Sequence, residues 1–204
     1  MSALVHEGTY VVVDIEADGP DPMGNSMLSL AAVAVDAATL RNSGEFVKNM
    51  RPREDAAVNQ KTLDWFAREA PEAYTAITKD PIAPADAMAA FISFVKGLPA
   101  PQIFVAHPVM FDGAWVDRYL GLYTDVRLFD HATHATPLFC RTGLDLPSLV
   151  MGVTGRPYPA CHRGILPTAW FGDNTHRHDA LSDALGYSEL LRTVLGGSMA
   201  DGAA

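Results

Sequence analysis

The segment TYVVVDI at residues 9–15 restricts the fold most, because all its residues except Asp14 are β-branched or apolar. Such a run is typical of a strand that is buried on both faces of a sheet. Two further strand-like segments follow, SMLSLAAVAVD at 26–36 and GEFVKNM at 44–50. Because short loops connect the three, we expect an antiparallel meander.

Helices and strands are predicted to alternate in the rest of the chain. The apolar residues after Pro84 repeat at helical spacing until Pro99 ends the pattern. The later elements are predicted as a strand at 102–106, a helix at 113–123, a strand at 126–132, a helix capped by Asp145 and a last helix over 180–195. This order predicts an α/β fold with a mixed five-stranded sheet that is covered by helices.

The length of 204 residues suits one domain with a sizeable core and is short for two. We expect a single domain over residues 1–195 and a frayed tail over 196–204. No apolar run approaches the ~18 residues of a membrane span, and the N-terminus lacks a signal-peptide pattern. Two cysteines are too few for a disulfide scaffold, so we expect a cytoplasmic protein without a membrane partner.

The formal net charge of −9 argues against a broad basic face that grips long duplex DNA. A negative net charge is compatible with a nucleic-acid site at which bound metal ions make the surface locally positive.

Asp14 and Glu16 end the first predicted strand, and residues two apart on a strand share a face. Two such acids repel each other and lose hydration on burial. A bound cation could compensate for this cost in free energy. Solvation of two surface acids at a strand end is the alternative interpretation.

Two more carboxylates come from predicted helices. Asp112 stands where the helix after strand 102–106 begins, a position at which aspartate often serves only as an N-cap. Asp183 lies at the edge of the apolar face of the last helix, which brings it toward the sheet. Asp179 is predicted to cap that helix, and His178 precedes it on a loop. Four clustered carboxylates suit Mg²⁺ or Mn²⁺ and hence phosphoryl chemistry.

Three motifs occur in a fixed order: DIEADG, HPVMFD and HDALSDA. In this order and spacing the chain resembles the DEDDh-type 3'–5' exonucleases of the DnaQ-like and RNase T-like superfamily. The resemblance implies an RNase H-like fold, with His178 as general base and metal ligands at Asp14, Glu16, Asp112 and Asp183. It also implies two Mg²⁺ or Mn²⁺ ions, hydrolysis at the 3' end of single-stranded RNA or DNA, release of nucleoside 5'-monophosphates, and a homodimer as one possible assembly.

The substrate is less well defined than the chemistry. The chain departs from the family pattern at ADG after Glu16, at Pro108 and in MLSL over 27–30, so a choice between RNA and DNA is not predicted. Terminal bases stack on apolar or aromatic side chains. The candidates for this role, each of which could instead be a core residue, are Met27, Leu28, Trp65 and Phe66.

Two other classes of protein stay open. One is a nucleic-acid-binding or regulatory module on the same fold that has little catalytic activity. The other is a zinc protein, for which the chain has suitable ligand types without a compact zinc spacing, namely His131, His134, Cys140, Cys161 and His162.

Overall fold

Three antiparallel strands begin the computed structural model, which describes residues 7–129, 136–174 and 176–197. They are β1 (Thr9–Ala17), β2 (Met27–Asp36) and β3 (Asn42–Asn49), and β2 pairs with both of the others. The predicted meander is confirmed.

Six helices and four short strands follow the meander in the described part of the chain. In order they are α1 (Gln60–Glu69), α2 (Pro71–Ile77), α3 (Pro84–Lys96), β4 (Gln102–Ala106), α4 (Val109–Tyr123), β5 (Val126–Arg127), β6 (Thr136–Pro137), β7 (Leu144–Asp145), α5 (Leu146–Thr154) and α6 (Ala180–Leu195). Two 3₁₀ turns, at Tyr158–Ala160 and Thr168–Phe171, lie between α5 and α6.

The main sheet has five strands in the order β3-β2-β1-β4-β7. Strands β4 and β7 add to β1 in parallel, so the sheet is mixed, as predicted. The prediction that residues 126–132 form its fifth strand is wrong. Only Val126–Arg127 is extended, and it pairs with β6 in a separate two-stranded sheet, whereas 130–132 lie outside the described residues. The true fifth strand, β7, has two residues, too few for a pattern of alternating polarity to reveal it.

The central strand β1 has a core on each face, because strand side chains alternate. Val11, Val13 and Ile15 belong to the core formed with α3 and α4. Tyr10 and Val12 belong to the core formed with α5 and α6. Asp14 and Glu16 continue the second series, so their side chains lie on the α6 face at the carboxyl end of β1.

Helices α1 and α2 were not predicted from the sequence. The N-cap of α1 is Asn59, whose side chain accepts hydrogen bonds from the backbone N–H groups of Lys61 and Thr62. Both helices pack on a small cluster that contains Phe66, Ile77 and Leu28 of β2 and that is separate from the two large cores. Helix α1 has ten residues and is mostly polar, and α2 has seven residues, so neither contains the long apolar repeat by which the other helices were predicted.

Helix α4 begins at Val109, four residues before the predicted start, whereas α6 spans the predicted residues. Asp112 therefore lies in the first turn of α4 and is not its N-cap. Among the described residues, no helix has the length and apolar character needed to cross a membrane. The expected cytoplasmic location, homodimer and single domain stay predictions.

Candidate active site

Three carboxylates from β1 and α6 meet at one place. The carboxylate oxygens of Asp14, Glu16 and Asp183 lie within 4.8 Å of one another. Burial, followed by the charges of the neighbouring acids, raises the pKa of Asp14 and that of Glu16. A set of hard oxygen donors whose negative charges repel each other fits a divalent cation such as Mg²⁺ or Mn²⁺.

Asp112 joins this cluster from α4 and is buried. Its Oδ1 atom accepts a hydrogen bond of 3.2 Å from the backbone N–H of Ile15, between Asp14 and Glu16. Burial raises the pKa of Asp112 to about 7, although that hydrogen bond opposes the shift. The backbone of β1 thus fixes the fourth carboxylate beside the other three positions predicted from the sequence.

Asp145 holds the start of α4 in place. The sequence predicts this residue as the cap of α5, and its Oδ2 atom accepts a 3.0 Å hydrogen bond from the N–H of Ser148 as expected. Its Oδ1 atom also accepts a hydrogen bond of 3.1 Å from the N–H of Val109, the first residue of α4. This second contact positions the turn that carries Asp112, and it depends on a tertiary approach that no local pattern reveals.

Asp183 is buried in the first turn of α6 and is held by the loop before the helix. His176 Nδ1 lies 3.0 Å from Asp183 Oδ1, and the backbone N–H of Arg177 donates to the same oxygen at 3.3 Å. Asp179 caps the helix, as predicted, by accepting from the N–H of Ser182 at 3.0 Å. The two aspartates of the HDALSDA motif therefore occupy different environments.

His178 lies at the rim of the cluster in a left-handed backbone conformation, with φ of 59°. Its ring meets the edge of the Trp65 ring at 4.8 Å between centroids and the ring of His176 at 4.0 Å. Partial burial lowers the pKa of His178, and the neighbouring His176 adds to this effect. A neutral imidazole beside a carboxylate cluster can accept a proton near neutral pH.

Residues 9–195 match the model of a family described as the 3'–5' exoribonuclease Rv2179c-like domain. The chain belongs to this family. The resemblance to the 3'–5' exonucleases that the three motifs indicated is thereby confirmed. A search of curated proteins by sequence found no match.

Solved exonuclease structures share the fold of this Rv2179c-like domain. The nuclease domain of 3'hExo, a DEDDh family member bound to rAMP, superposes with a TM-score of 0.69 at 12% identity, over 94% of either chain. The E. coli ExoI–ssDNA complex in its zinc-bound form gives 0.66 at 16% identity, over 96% of this chain and 42% of that one. At such identities the likeness shows the fold alone, and it confirms the predicted RNase H-like architecture.

The four residues predicted to stack on bases lie in different surroundings. Met27, Leu28 and Phe66 are buried in the protein interior, with at most 2% of their surface exposed. The sequence analysis gave a position in the core as the alternative for each candidate, and these three residues occupy such positions. Trp65 is partly exposed and contacts His178, so it lies next to the cluster. A role in stacking stays a prediction, and in this conformation Trp65 is the best placed of the four.

His176 is the residue near the cluster that sequence reasoning missed. Its side-chain nitrogen, that of His178 and a carboxylate oxygen of Asp183 lie within 4.8 Å of one another. The signal was present, because His176 and His178 both precede the HDALSDA aspartates in the segment HRHDALSD. The HDALSDA motif includes only His178, so a match to that motif does not identify His176.

The alternative zinc site has no support in the described ranges. The metal-ligand groups found there contain His176, His178 and Asp183 or Asp14, Glu16 and Asp183, and neither includes a cysteine. Cys161 is buried, whereas Cys140 is exposed. His131 and His134 lie outside the described residues.

Proposed function

We propose that this Rv2179c-like domain is a metal-dependent 3'–5' exoribonuclease that removes nucleoside 5'-monophosphates from single-stranded RNA ends. The observation that carries the proposal is the approach of Asp14, Glu16 and Asp183 within 4.8 Å, with Asp112 fixed beside them. Membership of a family described as exoribonuclease supports RNA rather than DNA as the substrate.

The proposed cofactor is a pair of Mg²⁺ or Mn²⁺ ions held by Asp14, Glu16, Asp112 and Asp183. Such ions lower the pKa of a water molecule and neutralise charge that develops on a phosphate. The chain supplies the oxygen donors for them from three elements, β1, α4 and α6. Because these donors are partly or fully buried, their mutual repulsion is strong without a cation and provides a driving force for metal binding.

The proposed general base is His178. It would accept a proton from the water that attacks the terminal phosphodiester, and its lowered pKa keeps the imidazole neutral at neutral pH. Asp183 accepts hydrogen bonds from His176 and from the backbone of Arg177, so its carboxylate is oriented before substrate binds. The Trp65 ring packs nearly perpendicular to the His178 ring and would limit its movement at the rim.

A single-stranded end is the proposed form of the substrate. One solved structure of this fold is a complex of ExoI with single-stranded DNA, and another describes recognition of the 3' end of a histone mRNA stem-loop. The acid cluster of this chain is recessed among β1, α4 and α6, so an unpaired strand can bring one phosphate to it more easily than a rigid duplex can.

The experiment that tests the proposal uses purified protein with 5'-labelled RNA and DNA strands of the same sequence. With Mg²⁺ or Mn²⁺ we expect a ladder that shortens from the 3' end, faster on RNA and abolished by EDTA. Asp183→Asn is the matched inactive control, because it keeps the shape of the side chain and removes its charge. Shortening that persists in Asp183→Asn, or none in the wild type, would contradict the proposal.

A further inference from the structure

Arg163 is an arginine that packs on aromatic rings close to the acid cluster. Its guanidinium carbon lies 4.4 Å from the centre of the Phe171 ring and 5.2 Å from that of Tyr187. The Nη2 atom donates to the carbonyl oxygen of Asn174 at 3.3 Å, whereas the buried Nη1 has no hydrogen-bond acceptor among the described residues. A guanidinium carries five N–H donors, so most of its hydrogen-bonding capacity is not used within the described structure.

Arg163 forms no direct ion pair with a carboxylate in the part of the chain that the structure describes. Its charge acts on the active-site groups instead. Arg163 lowers the pKa of Asp14 and contributes to the lowered pKa of His178. A cation that packs on rings and has no direct ion pair among the described residues is available to bind an anion.

A cavity of about 750 Å³ opens beside this arginine. Its wall includes Arg163, Tyr187 and His176, and His176 lies 3.0 Å from Asp183. His176 therefore lies between the cavity and the carboxylate cluster and contacts both. A volume of this size falls within the range of about 300–1,000 Å³ that is typical of small-molecule sites.

We propose that Arg163 binds a phosphate group of the RNA strand in this cavity, next to the phosphodiester that is cleaved. The inference rests on the proposed exonuclease function and adds a specific contact to it. A planar guanidinium can bind a phosphate through two parallel hydrogen bonds, which fixes orientation as well as charge. In a chain with a net charge of −9, this contact would draw the strand toward an acidic site.

Gly186 of α6 makes room for Arg163. A Cβ atom at residue 186 would lie 2.8 Å from Nη1 and 3.2 Å from Nη2 of Arg163. Any larger residue there would push the guanidinium away from α6 while its charge stayed in the molecule. Gly186→Ala therefore offers a second way to disturb the contact without changing residue 163.

The test measures binding of a 5'-fluorescein single-stranded RNA by anisotropy at several salt concentrations, with Mg²⁺. The protein carries His178→Ala in every case, which should slow degradation of the strand at least about 100-fold. Arg163→Gln should weaken binding at least about 10-fold, the loss of one charged hydrogen-bonding contact. It should also reduce the slope of log affinity against log salt by about 0.7, the value for one phosphate contact with a single strand.

Two variants control for charge and packing. Arg163→Lys keeps the charge and should retain the salt slope while it loses part of the affinity. Arg156→Gln removes an arginine that packs on Trp170 at 5.3 Å in the same way, and it should match the parent protein. Thermal melts check that each variant is folded. If Arg163→Gln is unfolded, the same binding measurements are made on Gly186→Ala instead. An unchanged affinity and salt slope in folded Arg163→Gln, or in Gly186→Ala where that variant replaces it, would overturn the proposal.

A second arm identifies the phosphate. Nucleoside 5'-monophosphate is titrated into the same proteins: weaker binding to Arg163→Gln would assign the contact to the terminal nucleotide, and unchanged binding would assign it to a phosphodiester further along the strand. The exonuclease assay of the wild type is scored separately. A reduced salt slope in Arg163→Gln beside an inactive wild type would retain the phosphate contact and refute the exonuclease function.

Discussion

At the scale of single residues, the site places two histidines beside one aspartate. His176 hydrogen-bonds to Asp183 directly, whereas His178 lies at the rim between His176 and Trp65. An imidazole that is already engaged with a proposed metal ligand is poorly placed to take a proton from water. The rim position of His178, together with its lowered pKa, suits a general base better.

Replacement of the two histidines should separate their roles. His178→Ala should lower kcat by at least about 100-fold, because general-base catalysis contributes ~10²–10⁴ in rate. His176→Ala should lower it by less than about 10-fold, since Asp183 still accepts from the backbone of Arg177. The check is single-turnover hydrolysis of labelled RNA, with thermal melts as a folding control. A larger loss in His176→Ala than in His178→Ala would reverse the assignment.

At the scale of elements, α6 shows what the sequence could and could not predict. Its bounds, its Asp179 cap and the inward position of Asp183 follow from local signals, namely a capping residue and an apolar face at helical spacing. The start of α4 and the strand β7 did not follow from such signals. They depend on tertiary contacts, the bond from Val109 to Asp145 and the pairing of Val105 with Leu144. Local sequence patterns were therefore enough to identify the carboxylate residues of the site. Their arrangement in space depends on tertiary contacts.

The two aspartates of the HDALSDA motif should respond differently to substitution. Asp179→Ala removes a helix cap and should lower the stability by about 1 kcal/mol, or roughly 2–4 °C in Tm. It should leave stabilisation by Mn²⁺ intact, whereas Asp183→Ala should abolish most of it. Thermal melts with and without Mn²⁺ measure both effects, and Asp86→Ala, an exposed acid in the first turn of α3, is the control. Equal behaviour of Asp179→Ala and Asp183→Ala would contradict this division of roles.

At the scale of the whole molecule, the acid cluster makes stability depend on pH and metal together. The folded-state pKa values of Asp14 and Glu16 are raised, and that of Asp112 is about 7. Without metal, Asp112 keeps in the folded protein a proton that the unfolded chain has lost between about pH 4 and pH 7, and Asp14 and Glu16 are shifted in the same direction. Stability from these groups is therefore greatest at low pH and falls as pH rises through this window. A bound cation favours the ionised form of these acids, so it counteracts the loss of stability at higher pH.

The stabilisation by Mn²⁺ should therefore increase with pH. At pH 8 a saturating concentration should raise Tm clearly, and at pH 5 the rise should be much smaller, because protons then compete for the same oxygens. Asp14→Asn in EDTA at pH 8 should melt above the wild type by roughly 2–4 °C, the effect of about 1 kcal/mol in a protein of this size. Calorimetry at both pH values provides the measurement. A metal effect that is equal at pH 5 and pH 8 would show that these carboxylates do not hold the ion.

The most direct test of the exonuclease function is the first product released from an RNA strand that is labelled in its 3'-terminal nucleotide. The site described here predicts that the earliest labelled species, identified by mass, is a nucleoside 5'-monophosphate. Its release should require Mg²⁺ or Mn²⁺ and should be lost in Asp183→Asn. A labelled oligonucleotide as the first product would indicate internal cleavage. Tight RNA binding with no product at all would indicate a binding or regulatory module, and either result would contradict the proposed function.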